Sequence, residues 1–118
     1  MDKEIDVLGL GAVAVDELLF VAEYPGPDSK CRILRRERKA GGLAGMALLA
    51  AARMGARAAY AGTLGDDELS RFIVEALEAV SVSTQHLVRR EGARPFHSTI
   101  IVDSATGSRT ILADAAGV

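Results

Sequence analysis

The amino-acid sequence predicts an α/β domain in which helices cover a sheet. Three observations carry that prediction. Short apolar runs closed by glycine or turn residues recur along the chain, two stretches beginning near Ala44 and Glu68 are helical in composition or period, and the two kinds of segment alternate. That order stacks helices on strands and leaves ligands to bind at the strand ends.

The run from Ile5 to Leu10, closed by Gly9 and Gly11, has the pattern of a buried strand entering a tight turn. Glu17 to Ala22 is a second short run, ended by the turn residues Pro25, Gly26, Pro27 and Asp28. Between Cys31 and Lys39 charge is dense and apolar positions are few, which suits an exposed strand or flap, and we read it as a lid element. Gly41 and Gly42 open a helix from Ala44 to Met54, rich in Ala, Leu and Met and followed by Gly55. Ala58 to Gly62 is a further buried strand. Asp66, Asp67 and Glu68 then place carboxylates where a helix N-terminus favours them. This second helix is expected to reach about Val80, with Phe72, Ile73, Ala76, Leu77 and Val80 as its apolar stripe. Three strand-like runs complete the chain, Leu87 to Arg90, His97 to Val102 and Arg109 to Ala113, the last two joined as a hairpin through residues 103–108. No closing element follows Ala113, so the sequence is expected to be a truncated portion of a larger domain.

The chain has 118 residues, 49% hydrophobic and 25% charged, enough for one modest domain with a real core. Its net charge is −2 and its basic residues are scattered, so it lacks the basic face of a nucleic-acid binder. Aromatic residues make up only 4%, too few for a base-stacking platform. The single Cys31 cannot staple the fold, and with no leader or spanning apolar run in view a reducing cytoplasm and no membrane role are expected.

Five features could carry chemistry. Gly9-x-Gly11-x-x-Ala14 formally matches a dinucleotide fingerprint, but the residues after Gly11 reach proline quickly and no acidic residue ends a second core strand at the required distance. Asp16 stands among apolar neighbours, either as a turn or capping aspartate or as an acceptor for ligand hydroxyl groups. Lys39 to Gly45 puts small residues at a helix start, which is either a tight connection or a place where backbone N–H groups approach a polar or anionic ligand. Arg35 to Lys39 is a charge run of the kind that guards a solvated strand edge. His86 and His97 have no partner at metal-ligand spacing.

Taken in order, Gly11-x-x-x-x-Asp16, Tyr24-Pro25-x-x-Asp28-Ser29, Gly41-Gly42, Ala52-Arg53-Met54-Gly55-Ala56 and Gly65-Asp66-Asp67 resemble the PfkB family of carbohydrate kinases over nearly the whole chain. The segments Tyr24 to Ser29 and Gly107 to Ile111 are most similar to the ketohexokinase and fructokinase branch. The resemblance implies the N-terminal part of a ribokinase-like three-layer α/β sandwich over residues 1–118, with a small β lid whose strands lie at about 17–22 and 31–39. It implies a sugar substrate held by Asp16, with Gly41 and Gly42 lining the pocket beside Leu43 and Met46. It further implies a lid carboxylate, Asp28, offered to the sugar of a neighbouring subunit in a homodimer formed through the lid, and Arg109 near the transferred phosphate. Three positions depart from the family pattern: Ala14, Leu43 and Met46 stand where polar residues are usual. By the same resemblance, the segments that bind ATP and Mg2+ and supply the catalytic base lie beyond Val118, so no catalytic residue is expected in this chain. Two functions are compatible with this reading, a piece of an ATP-dependent sugar kinase and a non-catalytic sugar-binding or dimerisation module.

Overall fold

The computed structural model describes residues 4–118. In chain order it contains β1 (Val7–Leu10), β2 (Ala14–Val21), β3 (Arg35–Gly41), α1 (Leu43–Arg53), β4 (Ala58–Ala61), β5 (Thr63–Leu64), α2 (Glu68–Ala79), β6 (Val88–Arg89), β7 (Phe96–Asp103) and β8 (Arg109–Asp114). The fold is α/β, as the alternation of segments predicts.

Local sequence explains both helices. Asp67 caps α2 by accepting a hydrogen bond from the Ser70 N–H at 3.3 Å, and Glu68 adds negative charge to the first turn. The apolar stripe buries Leu69, Ile73 and Leu77. Helix α1 has no side-chain cap at its start. Its end is a Schellman motif: Gly55, at φ 93°, donates to the Ala52 carbonyl, and Ala56 donates to that of Ala51.

The strands fall into two regions. β1 and β4 pair in parallel, Ala59 of β4 bridges to Ser83, and β5 pairs in parallel with β6. Helix α1 packs on this region, with Leu48 lying so close over Gly9 that a β-carbon there would stand 2.5 Å from it. The core gathers Val13, Val15, Leu48, Tyr60, Leu64, Ile73, Leu77 and Val82 between the helices and the strands. The expectation that β1 is buried is not met: Val7, Leu8 and Leu10 are exposed and Gly9 is half-buried under Leu48. Leu8 and Leu10 alternate with Gly9 and are therefore directed away from α1, where they are 53% and 72% exposed because no described residues form a second covering layer.

The second region is a four-stranded sheet in the order β3-β2-β7-β8. β2 is antiparallel to β3 and parallel to β7, while β7 and β8 form the hairpin expected from residues 97–113. Its first two strands shift from the expected 17–22 and 31–39 to 14–21 and 35–41. Pairing extends back to Ala14 because Gly41 continues the opposite strand, whereas Cys31 to Ile33 stay in the loop set by Pro25 and Pro27. The charge run lies on β3, an edge strand, where it discourages further pairing.

On one face this sheet is tied to α2. Arg38 of β3 pairs with Glu17 of β2 at 2.6 Å and with Glu68 in the first turn of α2, and its guanidinium lies 5.3 Å from the Phe72 ring centre. Hydrogen bonding raises the Arg38 pKa further. Burial works to raise that of Glu17, but hydrogen bonds from Arg38 and His97 outweigh it and hold the carboxyl below its ordinary range. The opposite face of the sheet is left open toward the start of α1. No helix among the described residues is long and apolar enough to cross a membrane.

Candidate functional site

That open face and the first turn of α1 enclose a cleft of about 610 Å³. Its floor is built by strand register. Asp16 of β2 lies opposite Lys39 of β3 on one side and Ser98 of β7 on the other, so side-chain alternation brings all three to the cleft. Lys39 also reaches Glu37 at 3.4 Å. Ser98 is buried, yet it lines the cleft.

Asp16 is half-buried and accepts no hydrogen bond among the described residues. Desolvation raises its pKa above the ordinary aspartate value, and the positive charge of Arg109 pulls partly in the other direction. A carboxylate held this way gains free energy from any donor brought to it, because its lone pairs have lost water without gaining a partner.

Gly41 is what lets the carboxylate lie there. A β-carbon at that position would stand 2.4 Å from Asp16 Oδ2. Gly42 serves a different purpose. It has φ 86°, and a β-carbon there would lie 2.5 Å from the Ala12 carbonyl oxygen and 2.7 Å from Val13 Cα. The same Ala12 carbonyl accepts from the Ala44 and Gly45 N–H groups at 3.1 and 3.3 Å. These two donors of the helix start are therefore occupied by the chain itself, and the structure favours the tight-connection reading of Lys39 to Gly45 over an anion cradle.

Leu43 and Met46, one helical turn apart on α1, form the rim facing the sheet, 89% and 54% exposed. Across from them, Leu18, Ile100 and Ile111 sit side by side in register on β2, β7 and β8. Arg109, two residues before Ile111, completes the lining. Six of the seven residues nominated from sequence thus surround one cleft. Asp28 does not: it is exposed on the loop between β2 and β3, with φ 54°. Sequence reasoning missed Lys39, Ser98 and the aliphatic row. Ser98 left a signal, since it falls in phase with Phe96 and Ile100 and so interrupts an otherwise apolar face.

Two other readings can be checked against this geometry. Gly11 is followed by a strand, not a helix, so Gly9-x-Gly11-x-x-Ala14 has no helix N-terminus on which to seat a pyrophosphate. Among the described residues no three His, Cys, Asp or Glu side chains gather where they could hold a metal ion. Two first-turn donors of α1, the Ala44 and Gly45 N–H groups, are also engaged by the Ala12 carbonyl.

A family model described as "pfkB family carbohydrate kinase" matches residues 5–117. Ketohexokinase from Mus musculus is 30% identical over 111 residues, which cover 93% of this chain and 37% of that protein. Among solved structures, ribokinase from Cryptococcus neoformans in complex with ADP superposes with a TM-score of 0.78 at 24% identity, covering 94% of this chain and 35% of that one. Ribokinase from Arabidopsis thaliana complexed with ribose and ATP gives a TM-score of 0.81 at 17% identity, covering 96% and 36%. At these identities the two structures show a shared fold. The chain spans between a quarter and little more than a third of the length of the curated relatives it matches.

Proposed function

Since the chain belongs to the pfkB family of carbohydrate kinases, we propose that it forms the sugar-binding part of an ATP-dependent sugar kinase, with Asp16 as the group that holds substrate hydroxyls. The observation that carries this reading is the Asp16 carboxylate, half-buried, without a hydrogen-bond donor among the described residues, and seated over the bare backbone of Gly41 on the floor of the cleft. An ionised carboxylate offers only acceptors, and a sugar offers vicinal O–H donors. Ser98 can donate or accept beside it, and Arg109 places a cation over the same space, favouring an anionic group brought there.

The nucleotide supplies the phosphoryl group in such a kinase. In this reading the described residues bind and orient the acceptor, and no three His, Cys, Asp or Glu side chains gather among them as a metal site, so we expect the chain alone to bind sugar without transferring phosphate. Sugar-dependent release of ADP by the purified chain would contradict that. A resemblance to the ketohexokinase branch further suggests that the four-stranded sheet pairs two copies and offers Asp28 to the partner. The exposed outer strand β8 suits such a contact.

The test is calorimetric titration of sugars into the chain and into Asp16→Ala and Asp16→Asn. Losing a hydrogen bond to a charged group, about 1.5–3 kcal/mol, weakens affinity roughly 10- to 100-fold. Stability should move the other way. Because the folded-state pKa of Asp16 is raised, the folded chain binds the proton more tightly than the unfolded one, and stability falls as pH rises through that interval. Asp16→Asn removes this penalty, so at neutral pH the variant should be at least as stable as the parent while binding sugar poorly. A variant that is destabilised yet binds normally would mark Asp16 as a structural carboxylate.

A further inference from the structure

The cleft carries Lys39, Asp16 and Ser98 in one row of the sheet, an aliphatic row in the next, and Arg109 beyond it. Leu18, Ile100 and Ile111 make a continuous row, one residue from each of three neighbouring strands, and the exposed Leu43 and Met46 of α1 face it. A sugar bearing a hydroxyl on every carbon would bring O–H groups against the aliphatic row and the Leu43 and Met46 turn, where they lose water and only Lys39 and Arg109, on either side of the row, offer polar partners. A ligand with hydroxyls at one end and hydrocarbon at the other satisfies both parts of the cleft. It would also cover Leu43 and Met46, which the described residues leave bare.

We infer that the substrate is a polyol carrying a nonpolar substituent, whose hydroxyls bind at Asp16 and Ser98 while the substituent lies between the Leu18, Ile100 and Ile111 row and the Leu43 and Met46 turn. This rests on the assignment of the cleft as the sugar site and adds the class of sugar it selects. Discrimination comes from both ends. The slot rewards the nonpolar group by burying it, and it penalises hydroxyls placed there.

Three ligands of one series test the inference by calorimetry on the full chain: D-ribose, methyl β-D-ribofuranoside and phenyl β-D-ribofuranoside. The expected order of affinity is phenyl over methyl over the free sugar, with the phenyl compound roughly tenfold or more tighter than ribose, the scale expected from burying part of a ring. The double variant Leu43→Asn with Met46→Asn should reduce or reverse that ratio. Both positions are exposed, so folding should tolerate the change, and the ratio in the unaltered chain stands as evidence independent of the variant. Equal binding of all three ligands, with Asp16→Ala weakening each alike, would overturn the inference and leave the sugar site standing, the walls then being covered by polypeptide. Tight phenyl binding that is unaffected by the double variant would overturn it too. If none of the three binds, or if Asp16→Ala changes nothing, both the inference and the site assignment fail.

Discussion

Replacing Gly41 by alanine separates the role of Asp16 from general stability. Gly41 lies at the end of β3, paired with Ala14, and its φ is not positive, so its backbone conformation is open to alanine. Glycine within a strand is entropically unfavourable by about 0.5–1 kcal/mol relative to alanine. Against this gain, the new β-carbon would lie 2.4 Å from Asp16 Oδ2 and 3.2 Å from its Cγ. The obstructing atoms are the far end of a two-torsion side chain, so Asp16 can rotate away at a cost of about 0.5–1.5 kcal/mol. The two effects nearly cancel, and thermal unfolding should shift by no more than roughly 5 °C. Binding should not be spared. The carboxylate leaves its position over the cleft floor, and sugar affinity should fall roughly 10- to 100-fold, as in Asp16→Ala. A double-mutant cycle makes the argument strict, because Gly41 is held to act only through Asp16: the Asp16→Ala, Gly41→Ala chain should bind no worse than Asp16→Ala alone. Undiminished affinity in Gly41→Ala, or strictly additive losses in the double variant, would refute the reasoning.

Gly42→Ala should behave in the opposite way, losing upward of about 2 kcal/mol of stability, because its φ of 86° is strained for alanine and its obstruction is backbone of Ala12 and Val13; chemical denaturation measures this. Arg38→Met should keep the packing of the stem on Phe72 and lose the ion pairs. Since the Glu17 pKa is depressed in the folded state, its stabilisation is present above the unfolded-state pKa and disappears as pH falls through the folded value. The variant should therefore be about 1 kcal/mol less stable at neutral pH, a modest figure because the pair is partly solvated, and the difference should vanish as acid protonates Glu17 in the folded chain. Leu112→Lys should weaken self-association, because Leu112 is 55% exposed on the outer strand β8 and a lysine there obstructs edge pairing; sedimentation over a concentration series would show it, and unchanged association would move the contact elsewhere.

What the sequence reveals follows the range of the interactions involved. Helix α2 is legible because Asp67, Glu68 and the apolar stripe all act within the helix itself. The end of α1 at Gly55 is legible for the same reason, as is the hairpin of β7 and β8, whose partners are separated by one short loop. The parallel pairing of β2 with β7 is not legible, since it joins residues about eighty positions apart and nothing local fixes its register. Ser98 and the Leu18, Ile100 and Ile111 row depend on that register, so they escaped notice while Asp16, Gly41 and Gly42 did not. The capping of α1 by the Ala12 carbonyl was likewise hidden, because a backbone oxygen carries no sequence signature. The resemblance carried by ordered glycines and aspartates compensated for part of this. It assembled Asp16, Gly41, Gly42, Leu43, Met46 and Arg109 without any account of the strand pairing that brings them together.

The most direct test of the central claim is the carboxyl carbon resonance of Asp16, followed by NMR in the chain as pH is varied with and without sugar. In the free chain its pKa should lie above the ordinary aspartate value, because burial disfavours the charge by more than the Arg109 cation offsets. Saturating sugar should move the resonance and lower that pKa, since hydroxyl donors stabilise the ionised form. A carboxyl signal that titrates identically with and without bound sugar, while other resonances report binding, would show that Asp16 is not the group that holds it.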